Sequence, residues 1–300
     1  MTARRRKAGT ALLALWSLGS CAAVPPQPVA APEYVIGAPY QMGSAWSYPR
    51  EDFGLTQTGL AAVTADRRAG RRTANGEIYD PRALMAAHRT LQLPAILYVT
   101  NLENGLRLRV RVNDRGPAQP GRLLEVSPRV AELLGMSPGG TSQVAIAIDE
   151  DESRILAASL PHREPNQLHI ASAPRDVLQG EVLPDLPGTR TKPVQPRSGA
   201  PSQSFSTVTP AAAPPAELSP VAVRTAARPG RLLIETGHFN TRAEAQRQAS
   251  RIGGRVEASG TGRRAEFRVR LGPFQTVSEA DTTLETLLRS GVSDAKILVD

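Results

Sequence analysis

One segment in the middle of the chain alternates strictly between apolar and basic side chains: Leu106 to Val112, with the sequence LRLRVRV. Side chains of a β-strand point alternately to its two faces, so this pattern predicts a strand with one apolar face and one row of arginines. The dipeptide Asn104-Gly105 precedes it and predicts a hairpin turn from the β-rich run Ile96 to Val99. Because the apolar face has to be buried, the segment constrains this part of the chain to a mainly-β core.

Two carboxylates lie in turns next to this hairpin. Asp114 follows the alternating strand in the turn NDRGP, and Glu77 directly follows the turn dipeptide Asn75-Gly76. From residue type alone, Asp114 has an alternative role as a turn residue that caps its own backbone. Glu77 likewise has an alternative role as a solvated loop carboxylate.

A helix is predicted between these two turns. Asp80 has the properties of an N-cap, and Pro81 those of the first helical residue. Leu84 and His88 would then share one face of the helix, four residues apart. His88 is therefore a candidate functional residue, and its alternative role is that of a core histidine.

Four motifs of this region, TANGE, AAHRTLxLP, VTNLxNG and VNDRGP, resemble in order and spacing those of the rare lipoprotein A family. The resemblance is dense from Thr73 to Gly116. It implies a six-stranded double-psi β-barrel, placed at residues 56–150, and the lyase activity of a peptidoglycan lytic transglycosylase. It also implies that Asp114, Glu77 and His88 are the catalytic residues, with Glu77 and His88 either taking part directly or holding Asp114 and the sugar in place.

Such enzymes cleave the MurNAc-GlcNAc β-1,4 bond endolytically without water, because the 6-hydroxyl of the sugar closes a 1,6-anhydro ring. One carboxyl group can then protonate the leaving oxygen and afterwards remove the hydroxyl proton, so a second carboxylate is not obligatory. Asp114 is the candidate for that group. No cofactor is predicted, and no metal, because the four histidines are dispersed.

Two departures from the family pattern favour an alternative function. Where the family carries ASWYG, this chain has no aromatic pair between Ala61 and Ala65, and the family's DLS is replaced by Glu125-Val126-Ser127. A glutamate places its carboxylate one methylene further out, and a displacement of about 1 Å can cost about a hundredfold in rate. The alternative is a non-catalytic, glycan-binding cell-wall lipoprotein with an expansin-like barrel.

The N-terminal residues have the pattern of a secretory leader. A basic run from Arg4 to Lys7 precedes a short apolar core that begins at Ala11, too short to cross a bilayer. The segment from Leu18 to Cys21 resembles a bacterial lipobox, which predicts a lipoprotein signal peptide at residues 1–20 and a lipid on Cys21. A buried thiol is the alternative, but a lone cysteine in a secreted chain has no disulfide partner.

The leader also bears on location and partners. Ala22 after the cysteine favours an outer-membrane lipoprotein facing the periplasm of a Gram-negative bacterium over the inner membrane. Residues 21–55 are predicted to be a lipidated tether and lead-in, with Trp46 and Tyr48 as a hydrophobic clasp. Four of the 36 basic residues lie in the leader, which leaves 32 against 28 acidic residues. This small excess gives no support for nucleic-acid binding.

Residues 151–229 are rich in Pro, Ala, Ser and Thr and lack periodicity, so a long disordered linker is predicted there. Residues 230–300 contain an internal repeat. Gly237, Phe239, Thr241, Glu244 and Ala245 recur as Gly, Phe, Thr, Glu and Ala 35 positions later. Each copy lies between an apolar strand and a helical segment, which predicts a small α+β domain of βαββαβ, ferredoxin- or RNP-like topology.

This repeat resembles the SPOR family, whose members bind glycan strands stripped of stem peptides at division sites. The resemblance implies peptidoglycan as a partner, enrichment at the septum, and cell-division proteins as candidate partners. The uncovered face of the sheet is predicted to show Glu235, Arg268 and Arg270, a polar surface suited to sugar hydroxyls. RNA-binding domains of this topology need exposed strand aromatics, whereas Phe267 shares its face with apolar residues and is predicted to be core.

Overall fold

The computed structural model describes residues 28–43, 45–64, 66–137, 139–163, 218–259, 266–292 and 295–300. The predicted signal peptide, the lipid site at Cys21 and residues 164–217 of the predicted linker lie outside these ranges. Within the described ranges, none of the helices combines the length and apolar character that a membrane span requires.

Six strands form a closed barrel in the first half of the chain. They run in the spatial order β4-β7-β3-β8-β5-β6, and β4 pairs with β6 to close the ring. The β3–β7 and β4–β6 pairs are parallel and the others antiparallel. The predicted six-stranded barrel is confirmed. Its strands are β3 (Thr56–Val63), β4 (Met85–His88), β5 (Ala95–Asn101), β6 (Leu106–Asp114), β7 (Arg122–Val126) and β8 (Thr141–Ile148).

The alternating segment that predicted the hairpin supplies part of the barrel core. Leu108, Val110 and Val112 of β6 are almost completely buried, together with apolar residues of the other strands. Burying one such side chain stabilises the fold by about 1.5–3 kcal/mol. The hairpin turn at Asn104-Gly105 is also present, since Gly105 N donates to Asn101 O at 2.8 Å and β5 pairs with β6.

The helix predicted from Asp80 is absent, and His88 lies on a strand instead. Asp80 begins a short turn in which its side chain accepts from Arg82 N at 2.8 Å. The chain then enters β4, which fills the gap between β6 and β7. Local helix signals are weak, and the ladder bonds that close the barrel override them here. A second helix is predicted from Ser127 as N-cap and Pro128 as the first helical residue. It is found as α1 (Pro128–Leu133), with Ser127 as its N-cap.

A short hairpin precedes the barrel: β1 (Tyr40–Met42) pairs with β2 (Ala45–Ser47). The interpretation of Trp46 and Tyr48 as a hydrophobic clasp is wrong, because both side chains are more than half exposed. The lead-in is tied to the barrel by backbone bonds instead, for example between Val35 and Leu93 at 2.7 and 2.8 Å.

The linker prediction is wrong at both of its ends. Residues Glu150–Ser159 form helix α2, whose buried Ser153 bonds to both backbone groups of Ile96 in β5 at 2.9 and 3.3 Å. Near the other end, β9 (Val223–Arg224) pairs with the start of β6. We call residues 218–230 the strap. It stays on the barrel because Thr225 N donates to Gly105 O at 2.7 Å and Arg228 N to Leu102 O at 2.8 Å. These backbone bonds need no apolar periodicity, so the composition of the segment did not reveal them.

The last part of the chain forms a four-stranded antiparallel sheet in the order β11-β12-β10-β13. The predicted βαββαβ topology is confirmed, and Phe267 packs against the apolar cluster under the first helix of this domain. The elements are β10 (Leu232–Phe239), α3 (Arg242–Ile252), β11 (Arg255–Ser259), β12 (Glu266–Phe274), α4 (Val277–Arg289) and β13 (Ala295–Val299).

The repeat has a structural cause in each copy. Its threonine is the helix N-cap and accepts from the backbone N–H of its glutamate. Its alanine is completely buried under the helix. Its glycine has a φ of +57° in the first copy and +111° in the second, a range that residues with a Cβ rarely adopt.

Candidate functional site

Glu77 is buried and held by donors on every side. The loop that carries it lies against the end of β6. Its Oε1 accepts from Arg111 Nε at 2.8 Å and Nη2 at 2.5 Å, and from Asn75 Nδ2 at 2.9 Å. Its Oε2 accepts from Asn113 Nδ2 at 2.8 Å. A carboxylate with both oxygens occupied by fixed, buried donors has little freedom to exchange a proton with a ligand.

Glu77 is thus a fully hydrogen-bonded carboxylate next to the end of β6. The interpretation of Glu77 as a solvated loop carboxylate is wrong, since only 4% of the residue is exposed. Through Asn113 it fixes the end of β6, the residue directly before Asp114. Arg111 is the partner that sequence reasoning missed, although its place in the alternating strand puts it on the face opposite the apolar core.

Asp114 is the last residue of β6, and its two oxygens have different surroundings. Oδ1 accepts from two backbone N–H groups, Ala74 at 2.9 Å and Arg115 at 2.8 Å. Oδ2 forms an ion pair with Arg68. The side chain retains 13% of its exposure, and that of Arg68 retains 31%. One oxygen is thus fixed by the backbone, and the other is covered by the partly exposed side chain of Arg68.

The alternative role of Asp114, capping its own turn, is present in part, because its Oδ1 accepts from the backbone N–H of the next residue, Arg115. The second donor, Ala74 N, comes from the Glu77 loop 40 residues earlier. Arg68 was also missed, and no local pattern marks it. It is brought to Asp114 by the short 3-10 helix Asp66–Arg68, which follows β3.

His88 is buried on β4 and uncharged. Its Nδ1 accepts from the backbone N–H of Thr90 at 3.3 Å and of Leu91 at 3.2 Å. Burial, together with smaller effects of the nearby Arg115 and Arg89, lowers the pKa of His88 to about 3. With Nδ1 as an acceptor, the ring carries its single proton on Nε2. His88 can donate a hydrogen bond, but it is a poor proton acceptor near neutral pH.

Of the three predicted catalytic residues, the structure brings Glu77 and Asp114 close together and leaves His88 apart from them. Glu77 and Asp114 share the loop 73–77 and the end of β6, whereas His88 lies one strand away. No hydrogen bond joins His88 to either carboxylate within the described part of the chain. Ala87, next to His88, is in register with Asp114 on one side and Glu125 on the other. Glu125 thus stands in the same row of the barrel as Asp114.

Two cavities adjoin these residues. One, of about 370 Å³, is lined by Glu77, Arg111 and the strap residues Leu218 and Pro220. The other, of about 680 Å³, contains His88 and lies between the barrel and the C-terminal domain. Across the described residues, no cluster of three or more His, Cys, Asp or Glu side chains is arranged to hold a metal ion.

In the C-terminal domain, Glu235, Arg268 and Arg270 come together on the uncovered sheet face. Glu235 itself is buried, contrary to the prediction that this face exposes it. Three cations cover its carboxylate: Arg270 Nε at 3.2 Å, Lys296 Nζ at 3.2 Å and Arg268 Nη1 at 3.9 Å. Burial raises the pKa of Glu235, but the pairs with Lys296 and the arginines outweigh it and hold the value below the usual range.

Comparison with known proteins agrees with both halves of this architecture. The family described as lytic transglycolase matches residues 55–146, and the SPOR domain family matches residues 229–295. The chain is 43% identical over 95 residues to the endolytic peptidoglycan transglycosylase RlpA of Yersinia pestis. That match covers 32% of this chain but only 26% of the relative.

Two further relatives match over most of their length. The protein of the same name from Escherichia coli is 29% identical over 291 residues, which covers 82% of this chain and 78% of the relative. The one from Pseudomonas aeruginosa is 31% identical over 268 residues, with 83% of this chain and 72% of the relative covered. These alignments include both the barrel and the C-terminal sheet, in the same order along the chain. The chain belongs to the RlpA family.

Proposed function

We propose that this chain is an endolytic lytic transglycosylase that cleaves MurNAc-GlcNAc β-1,4 bonds of peptidoglycan, with Asp114 as its acid/base. The observation that carries this proposal is the asymmetry of Asp114. Its Oδ1 is fixed by two backbone N–H groups, while Oδ2 is paired with the side chain of Arg68, which is 31% exposed. A proton donor to a bound sugar requires a fixed orientation and an oxygen that the backbone does not occupy.

The reaction needs no water. Protonated Asp114 gives its proton to the glycosidic oxygen as the bond from C1 of MurNAc to that oxygen breaks. The 6-hydroxyl oxygen of the same sugar then bonds to C1, and its proton goes to the Asp114 carboxylate. The products are a 1,6-anhydroMurNAc end and a new 4-hydroxyl, and the carboxyl group is regenerated.

Glu77 and His88 support this step without exchanging protons. Glu77 fixes the strand end that carries Asp114, through Asn113 and Arg111. His88 is neutral and offers its Nε2–H as a donor to a sugar oxygen at the neighbouring cavity. Arg68 has to move from Asp114 before that carboxyl group can hold a proton, and its partial exposure makes this feasible.

The partner and the location follow from the whole chain. We infer that the protein binds glycan strands without stem peptides through its SPOR domain, is enriched at the septum, and interacts there with cell-division proteins.

The lipobox-like segment before Cys21 supports a lipid anchor in the outer membrane, with the barrel facing the periplasm. Cys21→Ser should leave the protein soluble or unprocessed. If it still sediments with salt-washed outer membranes and loses its leader normally, the anchor is misassigned.

A non-catalytic glycan-binding role is the second candidate. The Arg68–Asp114 ion pair favours it, because it occupies the carboxylate oxygen that the backbone does not hold. The two functions differ in their products, since only the enzyme creates anhydro ends.

The test is mass spectrometry of products from purified glycan strands. The parent protein should release 1,6-anhydroMurNAc ends, and Asp114→Asn should lose about two to four orders of magnitude in rate with little change in Tm. Asparagine keeps an oxygen for Ala74 N and Arg115 N but cannot deliver a proton. Anhydro ends formed by a folded Asp114→Asn protein at the parent rate would show that another group is the acid. A parent that forms none, yet binds the strands, would establish the binding role.

A further inference from the structure

The barrel and the SPOR domain are in direct contact. Arg122 of β7 is buried and forms two hydrogen bonds with Asp281 of α4, at 2.7 and 2.8 Å. Thr58 of β3 donates to the backbone oxygen of Val299 in β13. A bidentate pair between a buried arginine and a carboxylate fixes both distance and orientation.

Apolar packing surrounds this ion pair. Leu60 of the barrel is completely buried in one cluster with Leu284 and Ile297 of the SPOR domain. Gly121 lies so close to that domain that a Cβ on it would be 2.7 Å from Leu284 Cδ2 and 2.8 Å from Ile297 Cδ1. The strap adds two bonds between Gly230 and Gln143, at 2.9 and 3.2 Å. The SPOR domain is thus seated on the barrel rather than only tethered to it.

The contact creates the larger of the two cavities, a groove with one wall from each domain. The wall on the barrel side includes His88 and Arg89, and Trp46 from the hairpin that precedes the barrel. The SPOR wall includes Arg268 and Lys296 of the uncovered sheet face. We call this space the junction groove.

Most of the charged side chains that line the junction groove are basic. Five Lys or Arg side chains line it but only one carboxylate, that of Glu235. Four of the five form ion pairs with carboxylates, which leaves Arg89. Arg89 is half-buried and has no carboxylate partner among the residues that the structure describes. Desolvation is costly for an unpaired charge, so even a half-buried cation without a carboxylate partner favours an anionic ligand. On the opposite wall, Lys296 is paired with Glu235, but its side chain is half exposed and can turn toward a ligand as well.

We propose that the junction groove binds one continuous glycan strand without stem peptides, held by the barrel and the SPOR domain together. This inference rests on the proposed function and deepens it. Removal of a stem peptide frees the lactyl carboxylate of each MurNAc, and Arg89 and Lys296 supply cations for it from opposite walls. The exposed Trp46 offers an apolar ring face to a sugar. Asp114 does not line the groove, so the scissile bond lies further along the same strand.

Arg89 belongs to the barrel, so a freely tethered SPOR domain would bind glycan without it. A contribution of Arg89 to glycan binding therefore distinguishes the composite groove from a tethered domain. Binding is measured by calorimetry on the full chain carrying Asp114→Asn, to prevent turnover. The probe is a GlcNAc-MurNAc hexasaccharide with free lactyl carboxylates, and chitohexaose is the neutral probe. Arg89→Glu and Lys296→Glu should each weaken hexasaccharide binding about tenfold or more and affect chitohexaose much less.

Arg247→Glu is the matched control, because it makes the same charge change on the exposed surface of α3, away from the groove. It should leave both affinities unchanged. Arg89→Gln tests the same contact without a new negative charge and should lose several-fold. Melting curves confirm that each variant is folded.

The junction itself is tested by Asp281→Arg, which replaces the ion pair with Arg122 by two like charges that face each other across the interface. Small-angle scattering should show the domains separated, and Arg89→Glu should then no longer affect hexasaccharide binding. If Arg89→Glu and Arg89→Gln both bind the hexasaccharide as the parent does, the composite groove is wrong. This outcome is independent of anhydro-end formation, which tests the proposed function. A protein without lyase activity that still loses binding with Arg89→Glu would retain the groove and lose only the chemistry.

Discussion

The barrel and the SPOR domain each bury a glutamate among cations, but they do so in opposite ways. Glu77 and Glu235 are 4% and 2% exposed. The side chain of Arg111, the cation on Glu77, is itself only 8% exposed. The side chains of Arg270, Arg268 and Lys296, which cover Glu235, are 21%, 30% and 51% exposed. Both glutamates are thus similarly buried, but the cation on Glu77 is buried with it, whereas the cations on Glu235 are partly exposed at the surface of the sheet.

This difference separates a site with fixed geometry from a surface that can adapt. Around Glu77, donors and acceptor are all desolvated, so movement of any of them leaves a buried charge unpaired. The cations on Glu235 can rotate toward water or a ligand, because solvent replaces what they leave. A fixed strand end is consistent with the proposed role of Asp114 as the acid, and an adaptable cationic face is consistent with the proposed binding of a glycan strand.

The sharpest test of this comparison removes the buried partner. Glu77→Ala leaves the Arg111 guanidinium buried without a counter-charge, so we expect a loss of about 3–5 kcal/mol in the free energy of unfolding. Denaturant unfolding followed by circular dichroism measures it. The double variant Glu77→Leu with Arg111→Met is the control and should recover much of the loss, since no lone charge remains. A loss below about 1 kcal/mol for Glu77→Ala would mean that the pair is solvated.

His88 extends the comparison to a buried group without any charge. Its folded pKa, about 3, is below the ordinary value of 6.5, so between these values the unfolded chain binds a proton that the folded chain does not. His88 therefore contributes stability that is fully present above pH 6.5 and is lost toward pH 3, by about 1.4 kcal/mol per pH unit. His88→Gln removes this contribution. Unfolding free energies measured from pH 7 to pH 4 should fall less steeply for the variant, and parallel curves would contradict a neutral buried His88.

Glu235→Ala is the counterpart of Glu77→Ala and should have a smaller effect. Its cations become unpaired but can turn into solvent, so we expect a loss of about 1 kcal/mol. Hydrogen exchange of the SPOR strands, compared with those of the barrel, localises the change. A loss as large as that of Glu77→Ala would remove the distinction between the two regions.

The smallest effect is expected for the most exposed of these cations. Lys296→Gln should change the unfolding free energy by less than about 0.5 kcal/mol, because an ion pair with a half-exposed lysine is largely screened. Repeating the measurement at 1 M salt should abolish even that difference. A salt-independent loss would place Lys296 in the structural core of the domain rather than on the proposed binding face.

Local chemistry in the sequence predicted much of the architecture. The alternating segment predicted β6, Asn104-Gly105 predicted its hairpin, and Ser127-Pro128 predicted the start of α1. The repeat of the last seventy residues predicted the βαββαβ sheet. In each case the signal lies within a few residues of the structure it specifies, because turns, caps and strand periodicity are short-range properties.

The site depended on contacts between distant residues. The sequence named Asp114, Glu77 and His88, but it placed His88 on a helix, and it gave no sign that Arg68 pairs with Asp114 across 46 positions. Closure of the barrel decides these partners, because β4 becomes a strand only when β6 and β7 provide its ladder.

The sequence by itself determined two folded domains of known type and the carboxylates they carry. Only the tertiary structure decided that the strap lies on the barrel, that Arg122 meets Asp281, and that a cationic groove lies between the two domains. The physical reason is that such contacts depend on the shape and desolvation of complete surfaces. No window of consecutive residues contains that information.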